Sequence, residues 1–187
     1  GRIYRLGAKD SQPIKPFDLS KKSTAELVEL LRHEGKWWRQ TALRLLGDRR
    51  DASVVPQLRK MLAEEEGQTA LEALWALYQL GGLDEATAAA ALEHTNPHVR
   101  AWTVRLLADE RSVPPQLASA LAALAAREPH VEVRSQLACS ARRLPPEQGL
   151  PIVAQLLQRD EDVNDPHLPL LLWWAIEANC GEHAGDV

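Results

Sequence analysis

From Ser20 onward, apolar residues recur every three or four positions, which is the period of an amphipathic helix. In the stretch after Pro97, the residues Val99, Trp102, Thr103, Leu106 and Leu107 fall on one side. Earlier in the chain, Trp38, Thr41, Ala42, Leu45 and Leu46 repeat that spacing. The pattern predicts ten helices arranged as pairs. The first member of each pair is expected at about 23–34, 52–65, 84–94, 114–127 and 146–158. The second is expected at about 36–47, 67–81, 97–109, 130–143 and 166–180. End signals support this division. Ser23-Thr24-Ala25-Glu26 has the form of a capping box. Asp51, Asp84 and Ser112 are suited to accept unpaired backbone N–H groups at helix starts. Pro97, Pro129 and Pro166 suit a first helical position. Gly47, Gly81-Gly82 and Gly181 suit helix exits.

Short motifs recur through the same region. Pro56-Gln57-Leu58 returns as Pro115-Gln116-Leu117. Asn96-Pro97-His98-Val99 returns as Glu128-Pro129-His130-Val131 and as Asp165-Pro166-His167-Leu168, with the prolines 32 and 37 residues apart. The pair Trp38-Arg39 returns as Val99-Arg100 and Val133-Arg134, with a degenerate copy at Thr69-Ala70. One hairpin cannot bury an amphipathic face by itself, whereas stacked neighbours can. The expected fold is therefore an all-α superhelix, a solenoid of about five helical hairpins over residues 20–181. Residues 1–19 are expected to form an extended segment, strand-like at 1–6, and a linker containing Pro13 and Pro16. Residues 182–187 form a tail.

Composition narrows the picture without adding a chemistry. Apolar residues are 45% and charged residues 26% of the 187, the balance of a globular protein. The formal net charge is −4, so no overall basic field draws nucleic acid. The longest apolar run, Leu168 to Ile176, contains Pro169 and falls short of the roughly 20 residues a membrane span needs. The two cysteines, Cys139 and Cys180, make no disulfide framework. The chain starts Gly1-Arg2-Ile3-Tyr4 without Met or a secretory signal, and the expectation is a piece of a longer protein.

Val99-Arg100 followed by small and apolar residues up to Leu107-Ala108-Asp109 resembles the HEAT repeat, as does the Pro-x-Leu element of the first helices. The resemblance covers about residues 20–181, with Armadillo-like repeats close to it. A narrower resemblance concerns the segments Lys36 to Leu46 and Asp165 to Ala175, and the strand-like Gly1 to Leu6. These are similar to parts of large bacterial proteins that join a sorbosone-dehydrogenase-like propeller, a HEAT-repeat region and a c-type cytochrome domain. That resemblance implies a connecting middle module, in a parent protein outside the cytoplasm. The haem-attachment motif Cys-x-x-Cys-His is absent from this chain, so neither haem nor any other cofactor is assigned to it.

Each candidate site competes with a plainer structural role. His98, His130 and His167 occupy one repeat position, but helices stack about 8–10 Å apart, and a metal needs ligand atoms within about 2.0–2.3 Å. Exposed polar residues in a first turn are expected. Cys180-Gly181-Glu182-His183 has too few ligands for a structural zinc site. The runs Glu64-Glu65-Glu66 and Asp160, Glu161, Asp162, Asp165 read as solvated connections. The aromatics are more informative, because six Trp stand against one Phe. Aligning the second helices places Arg44, Trp75, Arg105, Cys139 and Trp174 in one column. Arg44, Trp75, Arg105 and Trp174 are the candidate partner-binding surface, since Trp and Arg dominate interface hot spots. The plainer and favoured reading is packing of Trp between repeats with Arg stacked on it. Trp38 and Trp102 fall on the apolar stripe and are expected in the core.

No phosphate loop, nucleophile elbow or His-Glu-x-x-His helix occurs, and no catalytic, cofactor or metal residue is assigned. The leading function is a non-catalytic protein-interaction or scaffolding module, with protein partners and no nucleic acid or membrane insertion expected. The alternative is a HEAT-like DNA glycosylase of the alkylpurine type, with Trp75, Trp102, Arg100 and Arg105 in a groove. Carbohydrate binding on Trp faces rests on Trp abundance alone.

Overall fold

The computed structural model describes residues 17–179. Within them the chain forms ten α-helices and no strand. The helices make five hairpins: α1 Thr24–Leu30 with α2 Lys36–Arg49, α3 Val55–Glu64 with α4 Gly67–Gln79, and α5 Glu85–Leu92 with α6 Pro97–Leu107. The series continues with α7 Pro115–Arg127 and α8 Val131–Ala141, then α9 Pro146–Leu156 and α10 Leu168–Glu177. The second helices stack in chain order, α2 on α4, α4 on α6, α6 on α8 and α8 on α10. The first helices form a parallel layer in which α3, α5, α7 and α9 pack in succession, while α1 packs on the short turn Ala52–Val54 that leads into α3. This is an α solenoid, in which each hairpin covers the apolar flank of the next.

The core lies between the two layers as two adjoining clusters. One runs from Leu27, Val28 and Leu31 through Leu58, Met61 and Leu74 to Val99. The other runs from Ala88 and Leu92 through Leu121, Leu124 and Leu137 to Leu172 and Ala175. They meet around the third hairpin, and Leu83, in the turn that leads into it, packs against both.

Several helix ends follow the sequence signals. The Ser23 hydroxyl accepts the Glu26 N–H while the Glu26 carboxylate accepts the Ser23 N–H, a complete capping box. Asp84 caps α5 through the Thr87 N–H. Gly81, at φ 69, terminates α4 in a left-handed conformation that favours glycine. There the Gly82 N–H donates to the Leu77 carbonyl at 2.7 Å and the Gly81 N–H to the Tyr78 carbonyl at 3.1 Å.

Other signals are overridden. Gly47 is not an exit, because α2 continues to Arg49 and ends at Arg50 with φ 51. Gly47 instead lies inside the helix against the Gln79 side chain of α4. Ser112 does not cap α7. That helix begins at Pro115, three residues on, and Pro114 occupies its N-cap. Pro129 and Pro166 lie outside their helices, whose N-caps are His130 and His167. In α10 the first turn is taken by Pro169, which has no N–H to donate. The strand-like segment at 1–6, the extended linker up to residue 16, Cys180, Gly181 and the tail lie outside the described residues.

Candidate functional site: the face of the second helices

The recurring arginine is the organising element of the turns between first and second helices. Arg39, Arg100 and Arg134 each occupy the fourth residue of α2, α6 and α8. From there the guanidinium reaches back to carbonyls of the preceding turn. Arg39 donates to His33 and Glu34 at 2.8 and 2.7 Å. Arg100 donates to His94 and Thr95 at 2.8 and 3.1 Å, and Arg134 to Glu128 and Pro129 at 3.2 and 2.8 Å. The other edge of each guanidinium meets a carboxylate of the following hairpin. Arg39 pairs with Glu72 at 3.0 Å, and Arg100 with Glu128 at 2.8 and 2.5 Å. Arg134 is bidentate on Asp162, with its Nε at 2.6 Å. Each cluster therefore closes one turn and bolts it to the next hairpin.

The carboxylates of these pairs are buried, with Glu128 1% and Asp162 6% exposed. Burial alone pushes the Glu128 carboxyl up, but the Arg100 guanidinium and the His130 N–H outweigh it and hold the group below its ordinary value. The turns add a second recurrent bond, in which a side chain accepts the N–H two residues on. His33 Nδ1 accepts from Gly35 at 2.9 Å, His94 Nδ1 from Asn96 at 3.0 Å, Glu128 from His130 at 2.9 Å and Asp165 from His167 at 2.9 Å.

The acidic run at 160–165 is a solvated connection only in part: Asp160 and Glu161 are exposed, whereas Asp162 is buried. Asp162 neutralises Arg134, Glu161 pairs with Arg159 at 2.8 Å, and Asp165 accepts the His167 and Leu168 N–H groups in the turn before α10. In the other run, Glu65 pairs with Arg32 at 2.9 Å, joining the first two hairpins. The sequence marks Arg39, Arg100 and Arg134 as a repeat without giving them a structural role, and casts Arg100 only in the groove of the DNA-glycosylase alternative. Sequence reasoning missed His33, His94 and Glu128, whose shared signal is an acceptor side chain six residues before the arginine.

The predicted column lies on the second helices. Arg44, Trp75, Arg105 and Cys139 are each the ninth residue of α2, α4, α6 and α8, whereas Trp174 is the seventh of α10. Arg44 and Arg105 are exposed, and Trp75 is half-buried. Trp174 is 39% exposed. The structure joins these residues in two groups. In the first, Trp75 meets Trp102 edge-on with ring centroids 5.0 Å apart, and the Arg105 guanidinium lies 5.1 Å from the Trp102 ring. The buried Trp75 Nε1 has no acceptor among the described residues. In the second, the Arg142 guanidinium lies 5.9 Å from the Trp174 ring. Around it a pocket of about 530 Å³ is lined by Arg111, Cys139, Arg142, Arg143, Leu171 and Trp174. Burial pushes the Cys139 thiol up, and nearby Arg105 works against that shift. Arg44 stands apart, beside Asp48 and Arg50 in a shallower depression of mixed charge.

Trp38 and Trp102 are half-buried and not in the core. Trp38 stacks on Phe17 at 4.7 Å and on His33 at 5.2 Å, because no hairpin among the described residues precedes α1 to enclose it. The His98 and His130 rings are 6.1 Å apart, and His167 is exposed on its own turn. Among the described residues no group of three or more His, Cys, Asp or Glu side chains is placed to hold a metal ion. No helix among them is long and apolar enough to cross a membrane.

No curated protein matches the chain. Residues 24–95 match the family model of HEAT repeats, a span that runs from the start of α1 to the turn before α6. That stretch, less than half of the chain, is similar to HEAT repeats and forms the first part of an all-helical solenoid.

Proposed function

We propose that this chain is a non-catalytic interaction and scaffolding module that presents the face of its second helices to another protein. The observation that carries this reading is the uneven use of arginine in the solenoid. Among the described residues, Arg39, Arg100 and Arg134 are locked into the turns, while Arg44, Arg105 and Arg142 project from second helices or their ends with no hydrogen-bonded partner. HEAT repeats are a protein-interaction architecture, and a stacked layer of helices offers a long, rigid surface. The DNA-glycosylase alternative would enlist Arg100, but that guanidinium is occupied by Glu128 and two loop carbonyls. The resemblance of segments 36–46 and 165–175 to propeller–cytochrome proteins further supports a role in holding flanking domains in register.

The test places a photo-crosslinking amino acid at Arg44 or Arg105 on the second helices, and at exposed Ala89 or Ala123 on the first helices as controls. The source is an extract of cells expressing the protein. Discrete protein adducts at Arg44 and Arg105 but not at the controls are expected. Adducts confined to Ala89 and Ala123 would reject the assignment of the face.

A further inference from the structure

Every arginine of the described residues that lacks a hydrogen-bonded or ionic partner lies on a second helix or in the turn that follows one. These are Arg44, Arg50, Arg105, Arg111 and Arg142. The remaining arginines are all engaged, whether on first helices (Arg59 with Asp84, 2.7 Å) or across hairpins (Arg143 with Asp109, 2.9 Å). Acids outnumber bases by four in this chain, yet no carboxylate lines the pocket between α8 and α10. Three guanidiniums do, from Arg111, Arg142 and Arg143, beside the apolar Leu171 and the face of Trp174.

Building on the interaction reading above, we infer that this pocket receives an acidic, extended peptide segment. Its carboxylates would meet Arg111 and Arg142, and an apolar side chain would lie against Leu171 and Trp174. Guanidinium forks match carboxylates bidentately. Arg142 is already poised by its contact with Trp174, which lowers the ordering needed on binding. Arg105, held over Trp102 one helix away, continues the positive track toward α6. The dimensions favour a peptide over duplex nucleic acid. The pocket is about 530 Å³ and bounded by a few arginines, whereas duplex binding recruits a longer run of roughly six to ten phosphate contacts.

The probe is a fluorescein-labelled decapeptide of alternating Asp and Glu with one central Leu, titrated with the whole chain and followed by anisotropy. Saturable binding is expected, weakening with salt. The double variant Arg111→Glu, Arg142→Glu should lose at least about tenfold in affinity with an unchanged circular dichroism spectrum. The same variant should gain affinity for a Lys-substituted copy of the peptide, which a misfolded chain would not do. Absence of saturable binding, or affinity indifferent to the charge reversal, overturns the inference. So does tighter binding of a 20-base-pair duplex through the same two arginines. Should crosslinks at Arg44 and Arg105 persist while the peptide fails to bind, the acidic-peptide assignment falls and the interaction module stands. Should crosslinks also fail, both fall.

Discussion

At the scale of single residues, the three arginine clusters hold the solenoid in register. A buried guanidinium with its carboxylate removed is an uncompensated charge, and breaking such a pair costs about 3–5 kcal/mol. Asp162→Ala should therefore destabilise the chain by that amount in urea unfolding. The double change Arg134→Met, Asp162→Leu should cost clearly less, since it removes both charges. Equal losses in the two variants would show that packing, not charge, is what the pair supplies. Acid acts on the same device through Glu128. Its carboxyl is held below the ordinary value of 4.5 in the fold, so its contribution is complete above that value and fades as pH falls through the lowered one. The repeat of Arg39, Arg100 and Arg134 was legible in the sequence, because all three sit at one position of their helices. Their partners were not. Glu72, Glu128 and Asp162 follow at separations of 33, 28 and 28 residues, from a helix interior, a helix end and a turn respectively. No single spacing would have picked Asp162 from its acidic neighbours.

At the scale of elements, hairpin boundaries were readable wherever a local bond fixes them, and misread where a neighbouring element decides. The capping box of α1 is purely local. The Ser23 N–H, with Lys22 and the Ser23 hydroxyl, lowers the Glu26 carboxyl from 4.5 to about 2. Because the folded value is depressed, the box stabilises α1 fully above about pH 4.5 and is lost as pH falls toward 2. In an NMR titration Glu26 should titrate near 2 in the native chain and rise only part of the way toward 4.5 in Ser23→Ala, which loses the hydroxyl but keeps the backbone N–H and Lys22; an unmoved midpoint would remove the hydroxyl from the account. Gly149 illustrates the opposite case. Nothing in its sequence context marks it, yet in α9 a Cβ there would collide with the Ala141 carbonyl at the end of α8. Gly149→Ala should cost roughly 1–3 kcal/mol by overpacking, against the usual gain from alanine in a helix. A thermal melt shifted upward would contradict that close approach. Gly47 was misread for a related reason: it looks like a helix exit, but its closeness to Gln79 is a contact made only when α4 stacks on α2.

At the scale of the molecule, repeated amphipathic hairpins were sufficient to give the layered order, because each hairpin has only its chain neighbours against which to bury itself. The surface that such stacking exposes was less legible. Arg44, Trp75, Arg105 and Cys139 keep one register, but the later start of α10 shifts Trp174 by two positions and places it beside Arg142. At the far end, Val163 and Trp173 remain 69% and 58% exposed, since no described hairpin follows to cover them. Layered burial also dictates how the chain should come apart. Leu74 belongs to the core cluster of the early hairpins and Leu137 to that of the later ones, both fully buried. Each Leu→Ala change should cost about 2–5 kcal/mol, but the loss should be felt locally. Native-state hydrogen exchange in Leu137→Ala should accelerate in α7 to α10 and leave α1 to α4 protected, and Leu74→Ala should give the reverse. Uniform acceleration along the chain in both variants would mean that the two clusters behave as one centre. The third hairpin, with Leu83 in the turn before it touching both, would then transmit every loss across the whole stack.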